Sequence, residues 1–200
     1  MKSFKSAFNT NDEMYTPPCL VQELLPFISN VIIEPYGSRT TKVWCPFDNE
    51  KSEFVKILKV NNFDVIFGDL KTGKSFFSCK YPEFDIAISN PPFSLKLSIF
   101  KRLFSIGKPF AMLMNMMAVN YQEIGDIFYN QEIPPQFIIP DKKVSFNGKT
   151  SSFCSGYVTW KLNERTEYMH LDNNNTGKNF IPAENYITQQ TGLSNGTGIV

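Results

Sequence analysis

Histidine is almost missing from this chain of 200 residues, which carries His170 alone. One histidine rules against a histidine-based triad and against the common mixed-ligand zinc sites. The four cysteines, Cys19, Cys45, Cys79 and Cys154, are far apart and form no Cys-x-x-Cys pair. They read as reduced thiols rather than metal ligands or a disulfide framework, and no metal is expected. No apolar run approaches the ~20 residues of a membrane span, and the N-terminus has no signal-peptide core. A soluble, cytoplasmic protein without a membrane partner is the expectation. Charge of one sign is also lacking: the net charge is +1, so no global field can hold nucleic acid. Any such contact must come from a local basic patch.

What the chain does have is phenylalanine, at 19 residues, and enough length for one domain with a real core. Residues 1–14 are polar and are expected to be loosely attached. Thr16 as N-cap and Pro17 at the first helical position open a helix over 17–29, with Leu20, Val21, Leu24, Leu25 and Ile28 at helical spacing. Residues 42–45 read as a strand closed by Pro46. Asp48 or Asn49 could cap a second helix, whose buried face is Phe54, Val55, Ile57 and Leu58. Further strands are expected at 63–67, 84–89 and 109–114, with a helix near 95–106 between the last two. This alternation predicts a parallel sheet with helices on its faces. Strands at 136–139 and 156–162, expected to be antiparallel, enclose a polar loop over 141–155. Residues 1–170 are expected to be one domain, and 171–200 a polar tail that is loop or partly disordered.

The most informative segment is Ile86-Ala87-Ile88-Ser89-Asn90-Pro91-Pro92-Phe93. An apolar strand stops at two prolines that cannot extend a ladder. Its end therefore presents a fixed loop at the carboxyl edge of a sheet, where open α/β folds bind ligands. The loop offers a carboxamide oxygen, a backbone carbonyl and an aromatic face. Those groups suit a planar ring bearing an exocyclic amine. A proline turn after an ordinary strand is the plainer alternative.

Asn90–Phe93 resembles the Asp/Asn/Ser-Pro-Pro-aromatic motif of S-adenosylmethionine-dependent amino-methyltransferases, especially those acting on adenine in DNA. Tyr15-Thr16-Pro17 is similar to a signature before the first helix of many such enzymes. Trp44-Cys45-Pro46-Phe47-Asp48 resembles a phage-type variant in which this run replaces the usual Gly-x-Gly turn. Residues 52–56 and 108–110 are also similar to that group, so the resemblance spans about 12–162. It implies a three-layer αβα, Rossmann-like class I methyltransferase fold with a mostly parallel sheet of seven strands. It also implies S-adenosylmethionine as cofactor and, for a phage-encoded chain, a bacterial cytoplasm.

By the same resemblance, Asn90 and the Pro91 carbonyl would hold the target amine, Pro92 would shape the loop, and Phe93 would stack on an extruded base. The cofactor would lie near Tyr15, Thr16, Pro17, the run Trp44, Cys45, Pro46, Phe47, Asp48, and the segment around Ser75 and Phe76. Asp69, at the end of the second strand, is the first candidate for the ribose or adenine edge, with Asp48 second. Relatives carry an Asp where this chain has Ser75, which brings no charge. Gly68–Ser75 also fits a P-loop pattern, but Pro82 and the next strand leave no room for the helix a P-loop must open.

Lys96, Lys101, Arg102, Lys142, Lys143 and Lys149 are the candidate nucleic-acid contacts, with Phe146 and Phe153 in the same late loop. Solvated charges on a hairpin are an equal alternative. Little chain is left for target recognition, so a protein partner could supply it. Met112–Met117 reads as core filler, and Asn115 and Asn120 as loop caps rather than pocket residues. Three functions stay open: adenine methylation in DNA, the same chemistry on RNA adenine or a protein glutamine amide, and an inactive methyltransferase-fold interference module.

Overall fold

A computed structural model of the chain describes residues 16–32, 40–68, 76–78, 80–146, 149–150 and 154–171. The strands are β1 (Lys42–Cys45), β2 (Asp64–Phe67), β3 (Ile86–Ser89), β4 (Phe110–Asn115), β5 (Gln136–Pro140), β6 (Ser145–Phe146), β7 (Lys149–Thr150), β8 (Ser155–Trp160) and β9 (Glu167–Met169). Seven of them form one sheet in the order β2-β1-β3-β4-β8-β5-β9, while β6 and β7 make a separate hairpin. β8 alone runs against the rest: it is antiparallel to both β4 and β5, and the other pairings are parallel. The mixed, mostly parallel sheet of seven strands is thus present.

Side chains alternate cleanly between its faces, as a pleated strand requires. Val43, Cys45, Ile86, Ile88, Ala111, Leu113 and Tyr157 pack on one side against α1 (Pro18–Gln22), α2 (Leu25–Ile32) and α3 (Glu53–Val60). Trp44, Ala87, Phe110, Met112, Met114, Val158 and Trp160 face the other way, toward α4 (Lys96–Ile106) and α5 (Gln122–Tyr129). Both faces are covered, which explains why the central strands read as continuous apolar runs. The Tyr157 hydroxyl donates to the Leu20 carbonyl across 2.9 Å, fastening α1 to the sheet from within the core.

The expected helix over 17–29 is two helices. Pro26 has no N–H, and its ring would collide with the Gln22 carbonyl one turn back, so the chain breaks at Glu23-Leu24. Pro17, not Thr16, is the N-cap, and Pro18 takes the first turn without a side-chain cap. The second helix is capped by Ser52, whose hydroxyl accepts from Phe54 N–H at 3.2 Å, rather than by Asp48 or Asn49. Asn49 instead accepts from Lys51 N–H in a local turn. Helix α5 and strand β9 were not foreseen, while β6 and β7 form a hairpin within the loop over 141–155. Phe146 in that hairpin is buried in the core, and so is Leu171, the first residue of the expected tail.

Candidate active site at the carboxyl edge of the sheet

From β1 the chain crosses to β2 on one side, then returns to β3 on the other. The loops leaving β1 and β3 therefore flank the point where strand order reverses, the favoured crevice for ligands in such sheets. β1 and β3 are paired Val43 to Ile86 and Trp44 to Ala87. Carrying that register forward sets Pro46-Phe47 beside Ser89-Asn90. Two of the segments singled out in the sequence are neighbours for this reason.

Hydrogen bonds join them. Phe47 N–H donates to Ser89 Oγ at 3.1 Å, and Ser89 Oγ donates to Asp48 Oδ2. Ser52 Oγ donates to Asp48 Oδ1 at 2.6 Å, and the Asn90 backbone N–H also donates to this carboxylate. Burial pushes Asp48 up to about 6, although the hydrogen bonds from Ser52, Ser89 and Asn90 oppose that rise. Burial also holds the Cys45 thiol well above its ordinary range, with the Asp48 charge adding to the effect, so it stays neutral. On the far side of Asn90, its carboxamide nitrogen donates to Thr16 Oγ1 at 3.1 Å. Thr16 is nearly buried and holds this position because Pro17 and Pro18 fix the chain where α1 begins.

Pro91 and Pro92 are buried, and Phe93 is half-buried at the start of a short 3-10 turn, Phe93–Leu95, that leads into α4. Leu95 N–H donates to the Pro92 carbonyl at 3.0 Å, closing the loop. Phe76 packs on Phe47 with ring centroids 4.6 Å apart and on Trp44 at 5.6 Å. Trp44 and Cys45 are core residues, at 1% and 0% exposure, so their side chains are not surfaces for a cofactor. Tyr15, Asp69 and Ser75 lie outside the described residues. So does most of the P-loop-like run, but residues 76–78 and 80–85 after it contain no helix.

The basic candidates divide. Lys96 lies over the Tyr121 ring, 4.7 Å from its centroid, which joins the loop after β3 to the one after β4. Lys143 is exposed. Arg102 is half-buried, donates to the Ser78 carbonyl at 2.7 Å and lies over Tyr81, so it pins the segment before β3. Lys142 donates to the Leu171 carbonyl at 2.5 Å. Both of these are engaged by carbonyls of the chain itself. Lys101 lines a groove of about 470 Å³ between α4 and α5, beside Glu123 and Asp126, whose charges repel phosphate. The side chain of Lys149 is outside the described residues. Asn115 caps the 3-10 turn Met116–Val119 by accepting from Met117 N–H, as anticipated.

Sequence reasoning missed Ser89. The signal was present: a hydroxyl ending the apolar run Ile86-Ala87-Ile88 is buried, and a buried hydroxyl needs partners. Ser52 was missed because two better-known caps preceded it. Among the described residues no helix is long and apolar enough to cross a membrane, and no group of three or more His, Cys, Asp or Glu side chains could hold a metal.

No protein-family model matches the chain, and neither does any curated protein. Among solved structures, it is similar to a proposed class I S-adenosylmethionine-dependent methyltransferase from Listeria monocytogenes. The TM-score is 0.51 at 8% identity, over 97% of this chain and 75% of that one. The likeness is one of fold. With the strand order above, it defines a Rossmann-like class I methyltransferase fold.

Proposed function

We propose that this chain transfers a methyl group from S-adenosylmethionine to the exocyclic amine of adenine in DNA. The observation that supports this best is the position of Asn90–Phe93 at the carboxyl edge of β3, beside the reversal of strand order, with Asn90 Nδ2 turned to Thr16. That contact orients the carboxamide so that Oδ1 is presented away from Thr16. An amine held by Oδ1 and the Pro91 carbonyl would have its lone pair directed rather than its proton removed, because Asn cannot act as a base. Catalysis is then positioning plus electrostatics. Phe93 would stack on the ring.

The residues around the crevice fit the cofactor chemically in part. Thr16 supplies a hydroxyl beside the Asn90 carboxamide, whereas Phe47 and Phe76 are buried in the core and offer little open face. When bound, the group would supply an electrophilic methyl to the amine that Asn90 Oδ1 and the Pro91 carbonyl would hold, and the amine proton would leave to solvent. Tyr121, with Lys96 over its ring, and Met117 are exposed at 57% and 69% in the segment after β4. An aromatic face next to a cation suits a nucleobase and its phosphate better than a glutamine amide. The sparse basic surface favours a partner that supplies sequence recognition.

A second reading, an inactive binding or interference module, draws support from Phe47 and Asp48 standing nearly buried where this fold commonly has glycine. Calorimetric titration with S-adenosylmethionine and S-adenosylhomocysteine, followed by methyl transfer from labelled cofactor to DNA, RNA and protein, separates the readings. Micromolar binding with label in DNA adenine supports the proposal. A folded chain that binds neither compound, with or without nucleic acid, defeats it.

A further inference from the structure

Asp48 stands where the sequence suggested a cofactor ligand, yet the chain itself occupies the carboxylate. Ser52 Oγ donates to one oxygen, Ser89 Oγ to the other, and the Asn90 N–H donates as well. Little capacity is left for a ribose hydroxyl. The same contacts tie together the loop after β1, the cap of α3 and the first residue of the proline loop. Asn90 matters here for a simple reason. Pro91 and Pro92 carry no N–H, so the Asn90 N–H, just past β3, is the last main-chain donor that can anchor this loop before Phe93. Asp48 accepts it. Ser89, the polar residue of an otherwise apolar strand, stays within reach because Phe47 N–H holds its oxygen.

We propose that Asp48, acting with Ser89, is a positioning residue: it fixes the Asn90 backbone and so sets the direction of the Asn90 carboxamide and the Pro91 carbonyl. The effect on turnover rests on the methyltransferase reading above. The effect on the loop does not.

The test uses the full chain and three variants, Ser89→Ala, Asp48→Ala and Asp48→Asn. Exchange of the Asn90 amide proton is followed by NMR, S-adenosylhomocysteine binding by calorimetry, and methyl transfer by label. Ser89→Ala removes one hydroxyl, so it keeps the test alive if Asp48→Ala fails to fold. Both alanine variants should speed Asn90 amide exchange at least tenfold. They should lower kcat about a hundredfold while leaving the S-adenosylhomocysteine Kd and the acceptor KM within threefold. Asp48→Asn keeps an acceptor toward Asn90 and can donate to Ser52 Oγ, so it should recover most of both losses. A merely structural role would lower Tm without this split between kcat and KM. Unchanged Asn90 exchange in Ser89→Ala overturns the proposal, and so does a tenfold or greater loss of S-adenosylhomocysteine affinity in Asp48→Ala with exchange unchanged. If the wild-type chain transfers no methyl group, the methyltransferase reading fails while the exchange data still decide the bridge.

Discussion

The carboxamide of Asn90 and the hydroxyl of Thr16 meet across 3.1 Å, although they lie 74 positions apart in the chain. This contact decides which end of the carboxamide faces the crevice, because Nδ2 is the end turned to Thr16. It also gives the Thr-Pro-Pro start of α1 a job beyond helix initiation. Thr16 does not cap the helix; it braces the residue proposed to hold the acceptor.

Substitution of Asn90 by Ala should therefore cut methyl transfer by about a hundredfold or more, the range seen when a fixed polar group is removed from a reacting centre. Cofactor affinity should stay within a few-fold. Thr16→Val, which keeps the shape and removes the acceptor, should lower kcat by roughly tenfold through misorientation, while Thr16→Ser should restore it. Labelled methyl transfer and calorimetry on the same preparations check all three.

The pH dependence of stability follows from Asp48. Its carboxyl is raised by burial from the unfolded value of 3.8 to about 6. The folded state then binds the proton more tightly than the unfolded chain does. The stabilisation is full below pH 3.8 and is lost as pH rises through about 6. The loss is on the order of 3 kcal/mol once the group is ionised in both states. Asp48→Asn should abolish this component and be the more stable protein at pH 7.5. Urea unfolding from pH 4 to 8 measures both curves, and a wild type no less stable at pH 7 than at pH 5 would contradict the assignment.

Much of this architecture was readable in the residues, for physical reasons. Val43-Trp44-Cys45 and Ile86-Ala87-Ile88 are buried on both faces, and only continuous apolar runs can fill that role. Pro46 and Pro91 then mark their ends without ambiguity. Helix α4 was clear because Gly107, in the left-handed region at φ 75°, stops it cleanly. The break in the first helix was legible too, in Pro26, but the strong spacing of Leu20, Val21, Leu24 and Ile28 masked it. Less could be read beyond residue 120. Helix α5 buries Ile124 and leaves much of its length in water, so its apolar stripe is thin. β9 is short and pairs at a sheet edge with β5, a contact set by tertiary packing rather than local pattern. For the candidate site, the motifs pointed to Asn90 and Asp48 but not to the bridge between them. That bridge depends on strand register, which sequence separation alone does not reveal. The bonds of Arg102 and Lys142 to the Ser78 and Leu171 carbonyls were not legible, because charge in sequence says nothing about which carbonyl a long side chain will find.

The fastening of α1 to the sheet gives a stability prediction independent of any activity. Tyr157 is fully buried, and its hydroxyl donates to the Leu20 carbonyl at 2.9 Å. Tyr157→Phe preserves the ring and its edge contact with Phe54, but leaves that carbonyl without its donor. The expected cost is about 1–3 kcal/mol, the penalty of an unsatisfied buried group. Because α1 begins two residues after Thr16, loosening it should also blur the Thr16–Asn90 contact. Denaturant unfolding gives the first effect, and a modest fall in kcat at unchanged acceptor KM gives the second.

Acceptor binding is the last test, and it bears on nucleic acid against protein. Tyr121 is exposed at 57% with the Lys96 ammonium over its ring, and under the proposed function it stands where an acceptor base would approach the proline loop. A base stacked on an aromatic ring is worth about 1–3 kcal/mol. Tyr121→Ala should therefore raise the KM for a DNA acceptor by roughly tenfold or more, with kcat and cofactor affinity little changed. Tyr121→Phe keeps the aromatic face and should behave as the wild type. Lys96→Ala should weaken binding and flatten its salt dependence, because one cation near phosphate is lost. If Tyr121→Ala leaves the KM for DNA unchanged but raises it for RNA, the same platform serves the other nucleic acid. If neither moves, the bases do not approach across the loop after β4, and the acceptor must enter from the β1 side of Asn90.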